Sequence, residues 1–180
     1  APMRPAPSTR ADVRALPGPH RRFFESAGAV VPPERLFCDP LRTLAYGTDA
    51  SFYRLVPKVV VRVRDVVEVR AVLALARRHQ VPLTFRAAGT SLSGQAVTDS
   101  VLVQLDGWKG RRIVDGGAAI VLGPGVAGGE ANAALAPLGR KIGPDPASIA
   151  TCQIGGIAAN NASGMCCGTA QNSYNTLAGM

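Results

Sequence analysis

Three stretches of this 180-residue chain carry residue types whose spacing could do chemistry. The first reads Arg86-Ala87-Ala88-Gly89-Thr90-Ser91-Leu92-Ser93-Gly94-Gln95, with two glycines, three hydroxyls and almost no bulk. Such a loop can turn successive amide N–H groups inward as an anion-binding nest, and its hydroxyls can add donors to a pyrophosphate. Gly- and Ser-rich loops also serve as plain linkers, which is the bland alternative. The second stretch, Gly143-Pro144-Asp145-Pro146-Ala147-Ser148, holds an acidic residue between two prolines, so the backbone is stiff and Asp145 and Ser148 have defined directions. The third runs from Thr151 through Cys152, Gln153, Ile154, Gly155, Gly156, Ile157, Ala158, Ala159, Asn160, Asn161, Ala162 and Ser163 to Gly164. Its small residues permit main chain to approach a planar ligand, and Gly155-Gly156 opening a short Ala-rich helix offers a positive dipole end.

Other candidates carry less. Gly123-Pro124-Gly125-Val126-Ala127-Gly128 satisfies G-x-G-x-x-G between an expected strand and helix. That strand belongs to a hairpin rather than a parallel unit, and Asp145, 20 residues past Gly125, sits between prolines, so these glycines read as a strand-to-helix turn rather than a nicotinamide site. The two histidines, His20 and His79, are poor catalytic bases by position: His79 falls at a helix end, where the dipole accounts for it. Cys38, Cys152, Cys166 and Cys167 show no C-x-x-C spacing, which argues against a zinc site and for reduced thiols. A formal charge of +8 raises the question of nucleic acid, but the arginines are scattered without aromatic interleaving, so no nucleic-acid partner is expected. No run is long and apolar enough for a bilayer, and no signal peptide is evident; the reading is a cytoplasmic protein, with peripheral contact at the inner membrane face compatible.

The elements that must position these stretches follow from periodicity. Residues 1–17, rich in Pro, Ala and Arg, read as a disordered arm. Residues 18–57 read as a lead-in of loops with one helix near residues 20–27. Residues 59–63 are β-branched, Asp65-x-x-Glu68 predicts a capping box, and Val66, Val69, Leu73 and Ala76 recur at helical spacing, widened by Val72 and Leu75. Pro82 stops that helix and residues 83–86 form the next strand, giving a βαβ unit whose following loop opens at the carboxyl edge of a sheet. Residues 101–105 are a further strand; residues 112–114 and 119–122 pair through Asp115-Gly116-Gly117, and residues 128–138 form a helix with Ala131, Ala134, Leu135 and Leu138 on one face. The expected fold is α+β, a small βαβ-containing subdomain followed by an antiparallel or mixed one.

Taken in this order and spacing, the three stretches resemble the cofactor-embracing segments of the FAD-linked oxidases of the vanillyl-alcohol-oxidase type, over residues 40–180. The resemblance implies a PCMH-type FAD-binding fold over residues 58–180. It also implies that the stretch from Arg86 to Gln95 holds the FAD pyrophosphate, while Pro144, Asp145, Ser148, Thr151, Ile154, Gly155, Gly156, Asn160, Ala162 and Gly164 line the ribityl chain and flavin ring. Within that family the segments around Arg140-Lys141-Ile142-Gly143 and Gly164-Met165-Cys166-Cys167-Gly168-Thr169 are most similar to bacterial D-lactate and D-2-hydroxyglutarate dehydrogenases of the long form with a C-terminal iron–sulfur half. Related D-lactate enzymes tend to have Arg-Tyr where Cys166-Cys167 stands, so the substrate is the less determined part.

The resemblance further implies a D-2-hydroxy acid as substrate, an unspecified electron acceptor, and a self-associating assembly as compatible. Some members tether FAD through a histidine in the first loop; residues 86–95 contain neither His nor Cys, so noncovalent FAD is expected, with Cys152 a small buried thiol rather than a tether. The chain is expected to be an incomplete domain holding no catalytic or metal-binding residue, with the substrate-binding arginine, the catalytic histidine and any iron–sulfur cluster elsewhere. Cell-wall reductases that act on an enolpyruvyl sugar share the flavin fold and stand as an alternative, as does a non-enzymatic basic binding module.

Overall fold

The computed structural model describes residues 7–180. Two compact units divide it, one ending at Asp106 and the other beginning at Gly107.

In the first unit, helices α1 (Arg10–Ala15) and α2 (Gly18–Ala27) precede a short 3-10 turn (Pro33–Arg35), strand β1 (Leu36–Phe37) and helix α3 (Pro40–Ala45). There follow β2 (Val59–Val63), α4 (Val66–His79), β3 (Leu83–Arg86) and β4 (Val101–Leu105). The expectation of a disordered arm over residues 1–17 is corrected for its described part: Thr9 and Asp12 close a reciprocal capping box at the start of α1, and Val13 and Leu16 pack on the core. Residues 1–6 lie outside the described residues. The lead-in is also more than loops, because β1 joins the main sheet antiparallel to β2.

Sheet order is β1-β2-β4-β3, with β4 parallel to both neighbours. The two strands flanking the crossover helix α4 are therefore parallel, as expected, but not adjacent. Burial explains the order. Val101, Leu102 and Val103 of β4 are fully buried, which suits a central strand, whereas Phe85 of β3 stays 43% exposed, which suits an edge. Alternation along β2 and β4 sends Val59, Val61, Val63, Val101 and Val103 to a core shared with α2 and α4, and Val60 and Leu102 to the opposite face with Phe37 and Tyr46.

The stripe of α4 is rotated from its expected position. Val72 and Ala76 are buried with Val69 and Leu75 beside them, while Val66 and Leu73 face solvent. The predicted capping box is half formed: Asp65 accepts from the Glu68 amide, but the Glu68 carboxylate turns to Arg35 (2.6 Å) and the Arg64 amide (2.8 Å). A charged partner outcompetes a neutral backbone amide for that carboxylate, and the pair holds the Glu68 carboxyl below its usual range.

The second unit opens with the hairpin β5 (Arg111–Val114) and β6 (Ala119–Leu122), in register Ile113↔Ile120. Asp115 and Gly116 take left-handed φ of 50° and 61° at its turn, as the Asp-Gly pair predicts. Helix α5 (Gly128–Leu135) follows and tightens into a 3-10 turn (Ala136–Leu138), so the single helix expected to residue 138 ends earlier. Helices α6 (Ile154–Ala159) and α7 (Ser173–Thr176) complete the unit, and the whole is α+β.

Candidate functional site

The loop after Arg86 is held by its carbonyls. Gln104 Nε2 donates to Ala87 O (2.6 Å), the Ala50 amide to Gly89 O (3.0 Å), and Arg86 donates through both Nε (2.9 Å) and Nη2 (2.6 Å) to Ala96 O. In a planar trans peptide the next amide points opposite the carbonyl, so anchoring Ala87 and Gly89 turns the Ala88 N–H away from Gln104 and the Thr90 N–H away from Ala50. Gly89 and Gly94 adopt φ of 70° and 74°, the left-handed steps that let successive amides face one way. Among the described residues no protein acceptor takes the amides of Ala88, Gly89, Thr90, Ser91, Leu92, Gly94 or Gln95. The Ser91 hydroxyl is engaged with Gln95 Oε1 and accepts the Ser93 amide, which leaves Thr90 and Ser93 with unpaired hydroxyls among the described residues.

Several supports of this loop were not foreseen. Tyr53, Arg54 and Leu55 with Ser93, Gly94 and Val97 line a shallow cavity of about 270 Å³, and a β-carbon on Gly94 would stand 2.7 Å from the Tyr53 ring. An Asp49 turn, in which Oδ1 accepts the Ser51 amide (2.8 Å), and the bridge Thr48↔Arg54 shape this segment. The residue types of Gly47-Thr48-Asp49 suit a turn, but nothing in them marks the loop it supports. Gln104 had a signal of its own, a lone amide in the otherwise apolar strand Val101–Leu105.

In the second unit, the second and third stretches meet: a β-carbon at Gly164 would stand 1.7 Å from Asp145 O. Pro144 and Pro146 are buried, and Asp145 pairs with Lys141 at 3.2 Å. The Ser148 carbonyl accepts the amides of Thr151 and Cys152, both at 2.8 Å, so Ser148 and Thr151 share one turn. The expected open helix end is corrected here. The Ile154 amide donates to Val126 O and the Gly155 amide to Pro124 O, both at 2.9 Å, so of the first three amides of α6 only that of Gly156 lacks an acceptor among the described residues. Asn160 Nδ2 turns back to Gly156 O (3.1 Å), and the Ala162 carbonyl accepts from Ser173 Oγ (2.5 Å).

The G-x-G-x-x-G run is packed against protein. A β-carbon on Gly125 would stand 1.7 Å from Gly107 O, on Gly123 2.3 Å from Trp108 O, and on Gly128 2.4 Å from Ile149 Cδ1. Both histidines bind serines within the first unit: His20 Nε2 lies 2.9 Å from Ser100 Oγ, and His79 Nε2 3.0 Å from Ser26 Oγ. Burial, with Lys58 nearby, lowers the His20 imidazole below its ordinary value. Burial also raises the Cys152 thiol, which suits an unreactive group.

Comparison with known proteins places this geometry among flavoproteins. The sequence pattern of the family described as "FAD binding domain" matches residues 57–180. The glycolate oxidase subunit GlcD of Escherichia coli (strain K12) is 38% identical over 120 residues, covering 65% of this chain and 24% of the relative. The chain thus spans about a quarter of the length of the curated relatives it matches. Among solved structures, an alkyldihydroxyacetonephosphate synthase superposes with a TM-score of 0.71 at 19% identity, covering 93% of this chain and 35% of the other. Phl p 4, a grass pollen allergen with glucose dehydrogenase activity, gives 0.65 at 20% identity over 84% and 34%. These likenesses establish the fold. The first loop fits the diphosphate of such a dinucleotide, since it offers unpaired amides and hydroxyls and its residues 86–95 include no carboxylate.

Proposed function

From the premise that the chain belongs to the FAD-binding domain family of the FAD-linked oxidases of vanillyl-alcohol-oxidase type, we propose that it is the flavin-holding portion of a dehydrogenase oxidising a D-2-hydroxy acid to the 2-oxo acid. The observation that carries the reading is that the amides of Ala88 to Leu92, Gly94 and Gln95 are left without protein acceptors among the described residues while the carbonyls of Ala87, Gly89 and Ala96 are tied down. In this reading that loop takes the diphosphate charge. Pro144, Asp145, Ser148, Thr151, Ile154, Gly155, Gly156, Asn160, Ala162 and Gly164 form the stretch that serves the ribityl chain and ring, with Gly156 giving the one α6 amide still open to a ligand. FAD, when bound, supplies a hydride acceptor at N5. Residues 86–95 hold no nucleophile able to tether it, so binding is noncovalent.

D-Lactate and D-2-hydroxyglutarate are the proposed substrates, by the similarity of residues 140–148 and 164–169. Glycolate is the second reading, favoured by the 38% identity to a glycolate oxidase subunit. Substrate arginine, catalytic base and any iron–sulfur cluster are proposed to lie in other parts of the full-length protein, which we place in the cytoplasm. The test is to purify that protein, record its absorbance and precipitate it with acid. Oxidised-flavin bands and a yellow supernatant are expected. Anaerobic bleaching by D-lactate, D-2-hydroxyglutarate and glycolate then ranks the substrates. A colourless protein that takes up no added FAD refutes the cofactor, and bleaching by none of the three refutes the substrate class.

A further inference from the structure

Arg86 stands apart from every other cation in the first unit. It ends β3 only 6% exposed, and its guanidinium makes both of its bonds to a single carbonyl, that of Ala96. Among the described residues no carboxylate comes within ion-pair distance of it, whereas Arg35, Arg42, Arg62 and Arg64 all have one. The Tyr46 ring lies 6.0 Å from its centre, and Asp49 acts on it only through space. A buried cation without a counter-ion is costly, and desolvation pulls its pKa down. Protein structures keep such a charge where an anion completes it.

Its geometry says which anion. Arg86 ties residue 96 to the end of the strand and so cinches the loop into a closed turn, while the backbone at Gly89 folds over its stem, 3.4 Å from a built β-carbon to Cδ. The guanidinium is thereby tied to the carbonyl that closes the loop, and the amides of Ala88 to Leu92, Gly94 and Gln95 are the donors the closed loop leaves free among the described residues. We infer that Arg86 is a positioning residue and the buried counter-charge for the FAD diphosphate, acting through the loop rather than by touching the cofactor. The inference rests on the FAD reading and replaces the expectation that Arg86 is itself a phosphate ligand.

The test measures Kd for FAD and for riboflavin, which lacks the diphosphate, by flavin fluorescence on the deflavinated full-length protein and its R86K and R86M variants. R86M loses both charge and donors and is expected to bind FAD about 100-fold more weakly, and R86K, which keeps the charge but loses the two-nitrogen fork onto Ala96 O, about 10-fold. Riboflavin affinity should stay within about twofold of the parent in both, because the ring contacts are unaltered. FAD bound equally well by parent, R86K and R86M overturns the inference, and so does equal weakening of FAD and riboflavin, the mark of a general structural role. Should R86M fail to fold, R86K decides: a lysine that binds FAD as tightly as arginine overturns the claim. Failure of the parent protein itself to bind FAD would strike the cofactor reading instead.

Discussion

Gly164→Ala tests the one place where the second and third stretches are locked together. The added β-carbon would stand 1.7 Å from Asp145 O and 3.3 Å from Pro146 Cα, both backbone atoms that no rotamer change can move. Ordinary van der Waals contact needs more than 3 Å, so one strand of chain must retreat by over an ångström between two buried prolines. Overpacking of this kind costs about 1–3 kcal/mol, and the rigidity of the Pro144–Pro146 segment puts this site at the upper end. Two controls separate sterics from backbone conformation. Gly139 has no atom within 4 Å of a built β-carbon but a φ of 65°, so Gly139→Ala should cost about 1–2 kcal/mol. Gly110 has neither obstacle, and Gly110→Ala should be neutral or stabilising by a few tenths up to about 1 kcal/mol. Thermal unfolding of the deflavinated full-length protein, followed by tryptophan fluorescence, gives the ranking. Trp108, the only tryptophan in these 180 residues, reports from the same unit. Gly164→Ala melting with Gly110→Ala, rather than below Gly139→Ala, would refute the close approach of the two segments.

Other measurements follow from the same structure. Because burial lowers the folded-state pKa of His20, its contribution is fully present above the unfolded value and is lost as pH falls through that value toward the folded one. Stability should therefore drop below about pH 6.5, and His20→Gln should flatten that drop in urea titrations at a series of pH values. Glu68→Gln removes the carboxylate that pairs with the buried Arg35, leaving that cation uncompensated. A loss of about 3 kcal/mol is expected in denaturant unfolding, the lower end for such pairs because Glu68 keeps some solvent contact. Among the four free thiols, Cys166 is exposed, whereas burial pushes Cys38 up to about 11 and raises Cys152. An aromatic disulfide reagent at mildly alkaline pH should label Cys166 first and reach Cys38 and Cys152 only after denaturation.

Local patterns were legible because their causes are local. The β-branched run Val59–Val63, the strands Leu83–Arg86 and Val101–Leu105 and the Asp-Gly hairpin turn depend on neighbours within a few positions, and all lie where the periodicity put them. The loop from Ala87 to Gln95 was visible as a chain of small and hydroxylic residues, which is a property of composition. What could not be read was which carbonyls are occupied. Whether Ala88 or Gly155 has a free amide depends on Gln104 in one case and on Pro124 in the other, residues 16 and 31 positions away in the chain.

By itself, then, the sequence determined the elements, the turn chemistry and the family pattern, all of which are written in short-range spacing. Tertiary structure alone decided that β4 enters between β2 and β3, that α4 presents Val72 and Ala76 rather than Val66 and Leu73, and that Thr9 nucleates a helix in a Pro- and Arg-rich segment. It also decided that the α6 amides of Ile154 and Gly155 are spent on the turn between β6 and α5 and that the Arg86 cation is buried. The physical reason is common to these cases. Burial and hydrogen-bond partnership are set by competition among distant groups for one volume and for one another's donors, and that competition is resolved only when the chain is packed.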